Sequence, residues 1–208
     1  MYEPEAFRVT ERATLLEVIA ARPLGLVVST GPEGPFADAI PFIARETAGR
    51  LVLLAHVARA NPLWRRLRER PDTLVVFQAE DAYISPSWYA SKAETHKVVP
   101  TWNYVMVQAR GRAMVHEDPA WLRAQVGAVT TKAEAARPTP WAVEDAPDEF
   151  IAAQLRGIVG IEIEVTDLRG KFKLSQNRST QDRAGVVAGL GEDALAARMR
   201  AAEGPDHD

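Results

Sequence analysis

The sequence predicts a mainly β protein with peripheral helices, in which the strands form an antiparallel barrel. Seven to eight apolar runs carry the branched and aromatic side chains that favour strands. Turn residues or short loops separate most of these runs, so neighbouring strands are expected to be joined as hairpins. This pattern favours an antiparallel barrel over a doubly wound parallel sheet.

The composition is that of an ordinary globular protein. The chain has 208 residues, 47% of them apolar and 25% charged, which suffices for one large domain or two small ones. Its formal net charge of −3 disfavours nucleic acid as the main partner. The absence of cysteine excludes disulfides, thiolate metal sites and cysteine nucleophiles. Because no apolar run could span a membrane and no signal peptide is visible, we expect a soluble cytoplasmic protein.

Helices are predicted from apolar periodicity and from the residues that begin and end them. The first has Thr10 as a cap, one apolar face and Pro23 beyond its end. Asp118 followed by Pro119 begins a longer helix, and a Pro-rich link separates it from the next one. The predicted helices are approximately 11–22, 62–69, 118–136, 148–155, 181–190 and 193–202.

Strands are predicted where apolar residues run together or alternate. Gly31 to Gly34 is a strong turn signal between the first two strands. Pro41 removes a backbone donor from the second strand, which indicates an edge strand or a bulge. The predicted strands are approximately 24–30, 36–43, 51–56, 73–78, 82–84, 105–116 and 158–166.

The domain organisation is predicted to be simple. Residues 1–190 form one barrel domain, and the helices at about 118–156 are an insertion within it. Residues 191–208 form a C-terminal helix and an acidic tail, of which Glu203–Asp208 is expected to fray. A turn at Ala48 and Gly49 leads into the central strand.

That central strand carries the most informative pattern, Leu51-Val-Leu-Leu-Ala-His-Val-Ala-Arg-Ala-Asn-Pro-Leu-Trp64. A buried strand ends at polar residues, and Asn61 with Pro62 is a typical helix start. Free N–H groups at a helix start favour an anion, and Arg59 adds a planar donor fork suited to phosphate. The alternative is an ordinary strand–turn–helix connection with a surface arginine and a cap.

Two further clusters have open alternatives. Four aromatic residues could stack on a ligand ring or fill the core or a dimer interface, namely Trp88, Tyr89, Trp102 and Tyr104. A basic and polar cluster near the C-terminal strand could close over a ligand or be a solvated turn, namely Lys171, Lys173, Gln176, Asn177 and Arg178. His56 and His96 lack metal-ligand spacing, so no metal is expected, and no GxSxG motif supports hydrolysis.

Five blocks of the chain resemble a known family. They are Met1-Tyr-Glu-Pro-Glu-Ala-Phe7, His56-Val-Ala-Arg-Ala-Asn-Pro62, Tyr83-Ile-Ser-Pro-Ser-Trp-Tyr89, Val99-Pro-Thr-Trp-Asn-Tyr104 and Lys173-Leu-Ser-Gln-Asn-Arg178. In this order they are similar to the PaiB-type FMN-binding negative transcriptional regulators, over residues 1 to about 190. The resemblance implies an FMN-binding split barrel, related to pyridoxamine-phosphate oxidases, and a homodimer with flavin in a groove at its interface.

The resemblance also implies which residues meet the flavin. The phosphate falls on Arg59, Ala60 and Asn61, with the backbone of Ala55 and His56 nearby. Backbone groups of Ile40, Pro41 and Phe42 are expected along the isoalloxazine edge. From the two clusters above, not from the resemblance, Trp102, Lys173, Gln176 and Arg178 are added as candidate flavin contacts, the last three from the partner subunit if the basic cluster closes over the flavin. The oxidases carry more basic residues around the phosphate, and their substrate-binding residues have no match here.

Two functions therefore remain open. The family resemblance implies a flavin-linked transcriptional regulator, and the alternative is a flavin-dependent oxidoreductase acting on an unknown small molecule. Whether the chain is an enzyme is undecided. The sequence shows no helix-turn-helix with a basic reading face, so direct DNA binding is doubtful.

Overall fold

The structure is a computed structural model that describes residues 1–47 and 49–202. The predicted turn residue Ala48 and the predicted frayed tail Glu203–Asp208 lie outside the described residues. The strands are β1 (Arg8–Val9), β2 (Leu24–Gly31), β3 (Gly34–Pro41), β4 (Ile43–Thr47), β5 (Arg50–Ala58), β6 (Asp72–Ile84), β7 (Thr101–His116) and β8 (Ile158–Lys173). The α-helices are α1 (Arg12–Ala21), α2 (Leu63–Glu69), α3 (Ser91–Thr95), α4 (Pro119–Glu134), α5 (Asp148–Arg156), α6 (Thr180–Leu190) and α7 (Ala194–Ala201).

The strands form one sheet with the order β3-β2-β6-β7-β8-β5-β4, and β1 pairs with β8 outside this path. The pairs β2–β3, β2–β6, β4–β5 and β5–β8 are antiparallel. Strands β3 and β4 end the hydrogen-bonded order of the described strands. The predicted fold class, a mainly β antiparallel architecture with peripheral helices, is therefore confirmed.

Pro41 ends β3, as expected for a residue without a backbone donor. The next residue, Phe42, donates its N–H to Pro23 O at 2.8 Å, and a separate strand begins at Ile43. The single strand predicted over 36–43 is thus two strands, β3 and β4. The edge position predicted for Pro41 is confirmed, because β3 is a terminal strand of the order.

Three strands are longer than predicted. The runs 73–78 and 82–84 are one strand, β6, because the polar residues between them interrupt the apolar pattern but not the extended backbone. Strand β7 begins at Thr101, and β8 continues past Thr166 to Lys173. The short elements β1 and α3 were not predicted, since two to five residues carry too little periodicity.

The chain forms two compact units. The terminal unit comprises Met1–Glu11, Gln78–Val107 and the described residues from Arg169 onward. The central unit comprises Arg12–Phe77 and Gln108–Leu168. Helix α7 buries Leu195 and Met199, and the predicted domain boundary at residue 190 stays a prediction.

The central unit has a sheet core and a smaller helical core. In the sheet core, the Phe42 and Phe77 rings meet edge to face with centroids 5.9 Å apart, and both residues are buried. The helical core lies where α4 and α5 pack together, and consists of Leu122, Val143, Ile151 and Leu155. None of the described helices is long and apolar enough to cross a membrane.

Candidate functional site

The connection from β5 to α2 holds the residues that the sequence singles out. Helix α2 begins at Leu63, one residue later than predicted, and Pro62 precedes it. The N-cap is Pro62, and Asn61, the predicted cap, lies one residue before it and accepts the Leu63 N–H at 2.8 Å through its side chain. The N–H groups of Arg65 and Arg66 donate to Pro62 O. Few backbone donors are therefore left for an anion at this short helix.

Arg59 is held by three acceptors of its own chain. Its Nη1 donates to Glu117 Oε2 at 2.6 Å, its Nε to Arg156 O at 2.9 Å and its Nη2 to Ile158 O at 3.2 Å. These contacts join the end of β5 to α5 and to the starts of α4 and β8. A phosphate at Arg59 would therefore have to take the place of Glu117.

Glu117 is the carboxylate of a two-arginine pair. Arg68 Nη2 donates to its Oε1 at 2.5 Å, while Arg59 holds the other oxygen. Hydrogen bonds from Arg59 and then from Arg68 lower the pKa of Glu117 below its ordinary value. Glu117 is thus ionised throughout the neutral range and neutralises part of the local positive charge.

Positive charge remains in excess around Trp64. The guanidinium carbons of Arg65 and Arg68 lie 4.5 and 4.8 Å from its ring centroid, and the Trp64 indole donates to Arg59 O at 2.9 Å. Arg65 has no carboxylate partner in the described part of the chain. The exposed Ala60 N–H likewise has no acceptor among the described residues. Arg59 and Arg68 therefore share the one carboxylate of Glu117, and the charge of Arg65 is left without one.

A partly buried ion pair joins α2 to the β2–β3 hairpin. Arg66 Nη2 donates to Asp38 Oδ2 at 2.7 Å, and its Nε donates to Ser29 Oγ at 3.0 Å. Asn61 Nδ2 donates to the other Asp38 oxygen at 3.3 Å. The Arg66 and Asp38 side chains are only 13% and 23% exposed, so this network positions α2 rather than presenting free charge.

The remaining predicted residues of the central unit lie on β3, between β3 and β4, and on β5. Ile40 and Phe42 have buried side chains, whereas Pro41 is exposed. Ala55 is fully buried. His56 Nδ1 lies 2.8 Å from Oε1 of the buried Gln125 on α4, so the imidazole is oriented by α4.

The other four predicted residues lie in the terminal unit. Lys173 Nζ donates to Thr101 Oγ1 and to Trp102 O, while the Trp102 side chain is 54% exposed and meets Tyr83 edge to face at 6.2 Å. Arg178 lies over the Tyr89 ring at 4.7 Å. The Gln176 side chain is already hydrogen-bonded within its own loop, because it accepts the Leu174 N–H and donates to Phe172 O.

Three cations gather in this unit. Burial lowers the pKa of Lys173, and the nearby charges of Lys171 and Arg178 lower it further. Lys171 is 9% exposed and lies between the Tyr2 and Tyr104 rings at 5.4 and 5.3 Å. Neither lysine has a carboxylate partner in the described chain. The cluster thus has positive charge available for an anion.

Sequence reasoning missed Asp182, which fastens α6 to the first residue of α3, Ser91. Its two oxygens accept the Ser91 N–H at 2.9 Å and the Ser91 hydroxyl at 2.8 Å. The spacing Ser179-x-x-Asp182 is a capping-box signal, and Ser179 Oγ does accept the Asp182 N–H at 3.2 Å. The signal locates the helix start but gives no indication that the carboxylate reaches a residue 91 positions away.

The central unit also contains a cavity of about 690 Å³ beside α4 and α5, with Arg59 and Glu117 in its wall. A group of three or more side chains suited to hold a metal ion is not found among residues 1–47 and 49–202.

Comparison with known proteins identifies relatives over most of the chain. A family model described as "Putative FMN-binding domain" matches residues 1–167. Protease synthase and sporulation protein PAI 2 of Bacillus subtilis is 33% identical over 190 residues, which cover 91% of this chain and 89% of that protein. An uncharacterized protein of Aspergillus fumigatus is 32% identical over 236 residues, with 91% and 90% covered.

Solved structures share the fold at low sequence identity. The flavocytochrome Anf3 of Azotobacter vinelandii is 17% identical with a TM-score of 0.60, covering 86% of this chain and 75% of that one. The FAD and heme binding protein of Mycobacterium smegmatis is also 17% identical with a TM-score of 0.61, covering 89% and 81%. The fold is the split barrel, as the sequence predicted.

Proposed function

The chain belongs to the "Putative FMN-binding domain" family, its cofactor is FMN, and we propose that it is a homodimeric flavin-linked regulator. The observation that carries the regulatory part is the 33% identity, over most of both chains, to the Bacillus protein named for protease synthesis and sporulation. When bound, FMN supplies one- or two-electron redox chemistry, so the state of the cofactor can report on the redox state of the cell.

The phosphate of FMN fits the excess positive charge at the β5–α2 connection. The residues that would hold the phosphate are Arg59 and Arg65, with the Ala60 N–H and the side-chain amide of Asn61 beside them. A phosphate dianion would balance the two guanidinium charges that Glu117 leaves unpaired among Arg59, Arg65 and Arg68. This donor set is the chemical basis of the assignment.

The flavin ring fits the outer edge of β3. Because β3 ends the hydrogen-bonded order, backbone groups on its second edge at Ile40 and Pro41 are available to the polar atoms of the isoalloxazine, whereas the Phe42 N–H is already donated to Pro23 O. The side chains of Ile40 and Phe42 point into the core and hold this edge in place. Ala55 and His56, which lie on β5, would affect flavin binding only indirectly, His56 through its contact with Gln125 on α4.

The cation cluster of the terminal unit fits an anionic ligand as well. Lys173 and Arg178 would meet the flavin from the partner subunit, and Trp102 offers an exposed aromatic face. Gln176 would act by shaping the loop, because its amide is engaged with its own backbone.

An apolar sheet face supports the dimer. Leu24 and Leu26 on β2 are 62% and 41% exposed, and Pro41 and Ala39 lie opposite them on β3. Val76 on β6 faces Leu26 from the other side. Apolar residues on three adjacent strands form the kind of contiguous patch that a monomer rarely leaves in water, and a second copy would cover it.

The charges on helix α2 favour regulation through a partner protein over direct binding to DNA. The basic helix α2 has only seven residues, and Arg66 and Arg68 are paired with Asp38 and Glu117. A phosphate backbone would find few free cations on it. We therefore propose that the flavin-bound dimer contacts another protein.

A transcript comparison tests the regulatory role. We expect deletion of the gene in its host, and replacement by a variant that no longer binds FMN, to change the same set of transcripts. Complementation with the wild-type gene is the control. If deletion leaves every transcript unchanged, the regulatory proposal is wrong.

A flavin-dependent oxidoreductase is the second candidate, and Lys173 favours it. A lysine whose pKa is lowered by burial and by two neighbouring cations can donate a proton to a reduced product more readily than a solvated one. Lys173→Met should then slow reduction of an accepted substrate even at FMN concentrations that saturate the variant. Reduced protein that reacts with small acceptors no faster than free reduced FMN would exclude this candidate.

A further inference from the structure

We propose that the cavity beside α4 and α5 binds an amphipathic carboxylate, a small molecule with an apolar body and one carboxylate group. Its volume of about 690 Å³ lies in the range of ligand sites. All its lining residues except Arg59 and Glu117 come from the 118–156 segment. The cavity shares Arg59 with the proposed phosphate site, but its other lining residues lie away from the β3 edge, and the proposal goes beyond the FMN-linked function.

The floor of the cavity is apolar and belongs to the core between α4 and α5. Leu122 and Leu155 line it and are also members of the buried core between α4 and α5. The residues nearer the opening, Ala120 and Ala152, are small and exposed, so they leave room that larger side chains would fill. An apolar body placed here would be removed from water without the need to open the core.

The rim of the cavity carries positive charge. The exposed Arg156 side chain has no hydrogen-bond or ion-pair partner in the described part of the chain. Arg123 pairs with Asp148 at 3.0 Å and with Glu144 at 3.9 Å, but these two carboxylate side chains are 88% and 73% exposed, so water weakens both pairs. A ligand carboxylate can therefore be reached by two guanidinium groups at the edge of an apolar floor.

The one carboxylate in the cavity wall is paired with arginine. Glu117 is held by Arg59 and Arg68, and it keeps its Arg68 partner when the FMN phosphate takes its place at Arg59. Its charge is thus partly balanced within the chain. The charge arrangement favours a carboxylate over an amine or a neutral alcohol of the same length.

Calorimetric titration of the FMN-loaded full chain with octanoate tests the proposal. We expect octanoate to bind and 1-octanol to bind at least tenfold more weakly. Arg156→Gln should weaken octanoate about tenfold and leave 1-octanol unchanged, since the variant keeps the backbone carbonyl that Arg59 uses. The flavin absorbance should stay that of the bound cofactor throughout.

A matched pair of variants locates the site. Ala152→Trp should abolish octanoate binding by filling the cavity, whereas Ala153→Trp, one residue along the same helix and outside the lining, should bind as wild type. Circular dichroism serves as the check that both variants fold. The proposal is overturned if wild type does not bind octanoate, if Ala152→Trp binds it normally, or if octanoate displaces FMN.

Discussion

Glu117 competes with any anion that approaches Arg59, because its carboxylate already holds Arg59 and Arg68. If the FMN phosphate takes its place, removing the charge should favour the cofactor. We expect Glu117→Gln to tighten FMN binding about two- to fivefold, the range expected from an exposed ion pair. Titration of tryptophan and flavin fluorescence measures it. A weaker affinity would indicate that Glu117 supports the site instead.

Asp182 makes stability depend on pH. The Ser91 N–H is the main cause of its lowered pKa, with the Ser91 hydroxyl and Arg178 also contributing. A carboxyl whose folded pKa is lowered stabilises the fold above its unfolded pKa of about 3.9 and loses this effect as the pH falls through the folded value. Asp182→Asn should therefore cost about 1–2 kcal/mol at pH 7.

The difference between wild type and Asp182→Asn should shrink in acid, where both side chains are neutral. Urea unfolding at a series of pH values from 7 downward measures it, and Asp193→Asn, at the cap of α7, controls for a general effect of losing a helix-capping charge. A difference that stays constant with pH would contradict the role of the charged form.

At the scale of single residues, the sequence predicts which residues matter better than it predicts their hydrogen-bond and ion-pair partners. Asn61 accepts the first N–H of α2, as a polar residue before Pro62 suggests, because such contacts are local, although the N-cap itself is Pro62. The partners of Arg59 lie 58 to 99 positions away, and only the fold brings them together. The resemblance correctly implied FMN, but no local pattern could indicate that Glu117 neutralises Arg59.

At the scale of elements, α4 packs closely against β8 at Gly160. A Cβ built on Gly160 would lie 2.1 Å from the Trp121 ring, which itself stacks on His116 with centroids 4.2 Å apart. We expect Gly160→Ala to push α4 outward and to destabilise the fold by about 1–3 kcal/mol. Urea unfolding and the near-ultraviolet circular dichroism of tryptophan measure this.

Gly127 provides the matched control within α4. A Cβ there would meet nothing within 4 Å, so Gly127→Ala should stabilise the helix by about 0.5–1 kcal/mol. If the two substitutions had the same effect, the close packing of Trp121 on Gly160 would not hold α4 in place.

The elements themselves were largely predictable because apolar periodicity and caps are local signals. Helices α1, α4, α5 and α6 begin and end within about two residues of their predicted limits, the usual uncertainty of boundaries. The length of β6 was not predictable, since backbone pairing continues where Gln78 to Asp81 break the apolar run. Pairing partners across the sheet are set by the whole fold.

At the scale of the molecule, the exposed face of β2 predicts self-association. Light scattering should give about twice the 22.8 kDa chain mass for wild type. Leu26→Lys should give the monomer mass, because a charge in the centre of the apolar face would be buried without a partner. Phe150→Lys, at an exposed apolar residue on α5, is the control and should remain dimeric. A Leu26→Lys dimer would exclude this face.

The most direct test of the account is a titration of FMN and riboflavin against wild type and Arg59→Ala, with circular dichroism as the check on folding. A charge-assisted hydrogen bond to phosphate contributes about 1.5–3 kcal/mol, so we expect Arg59→Ala to weaken FMN binding about 10- to 100-fold. Riboflavin, which lacks the phosphate, should bind weakly and equally to both proteins. Unchanged FMN affinity in Arg59→Ala, or an equal loss for riboflavin, would contradict a phosphate site at the β5–α2 connection.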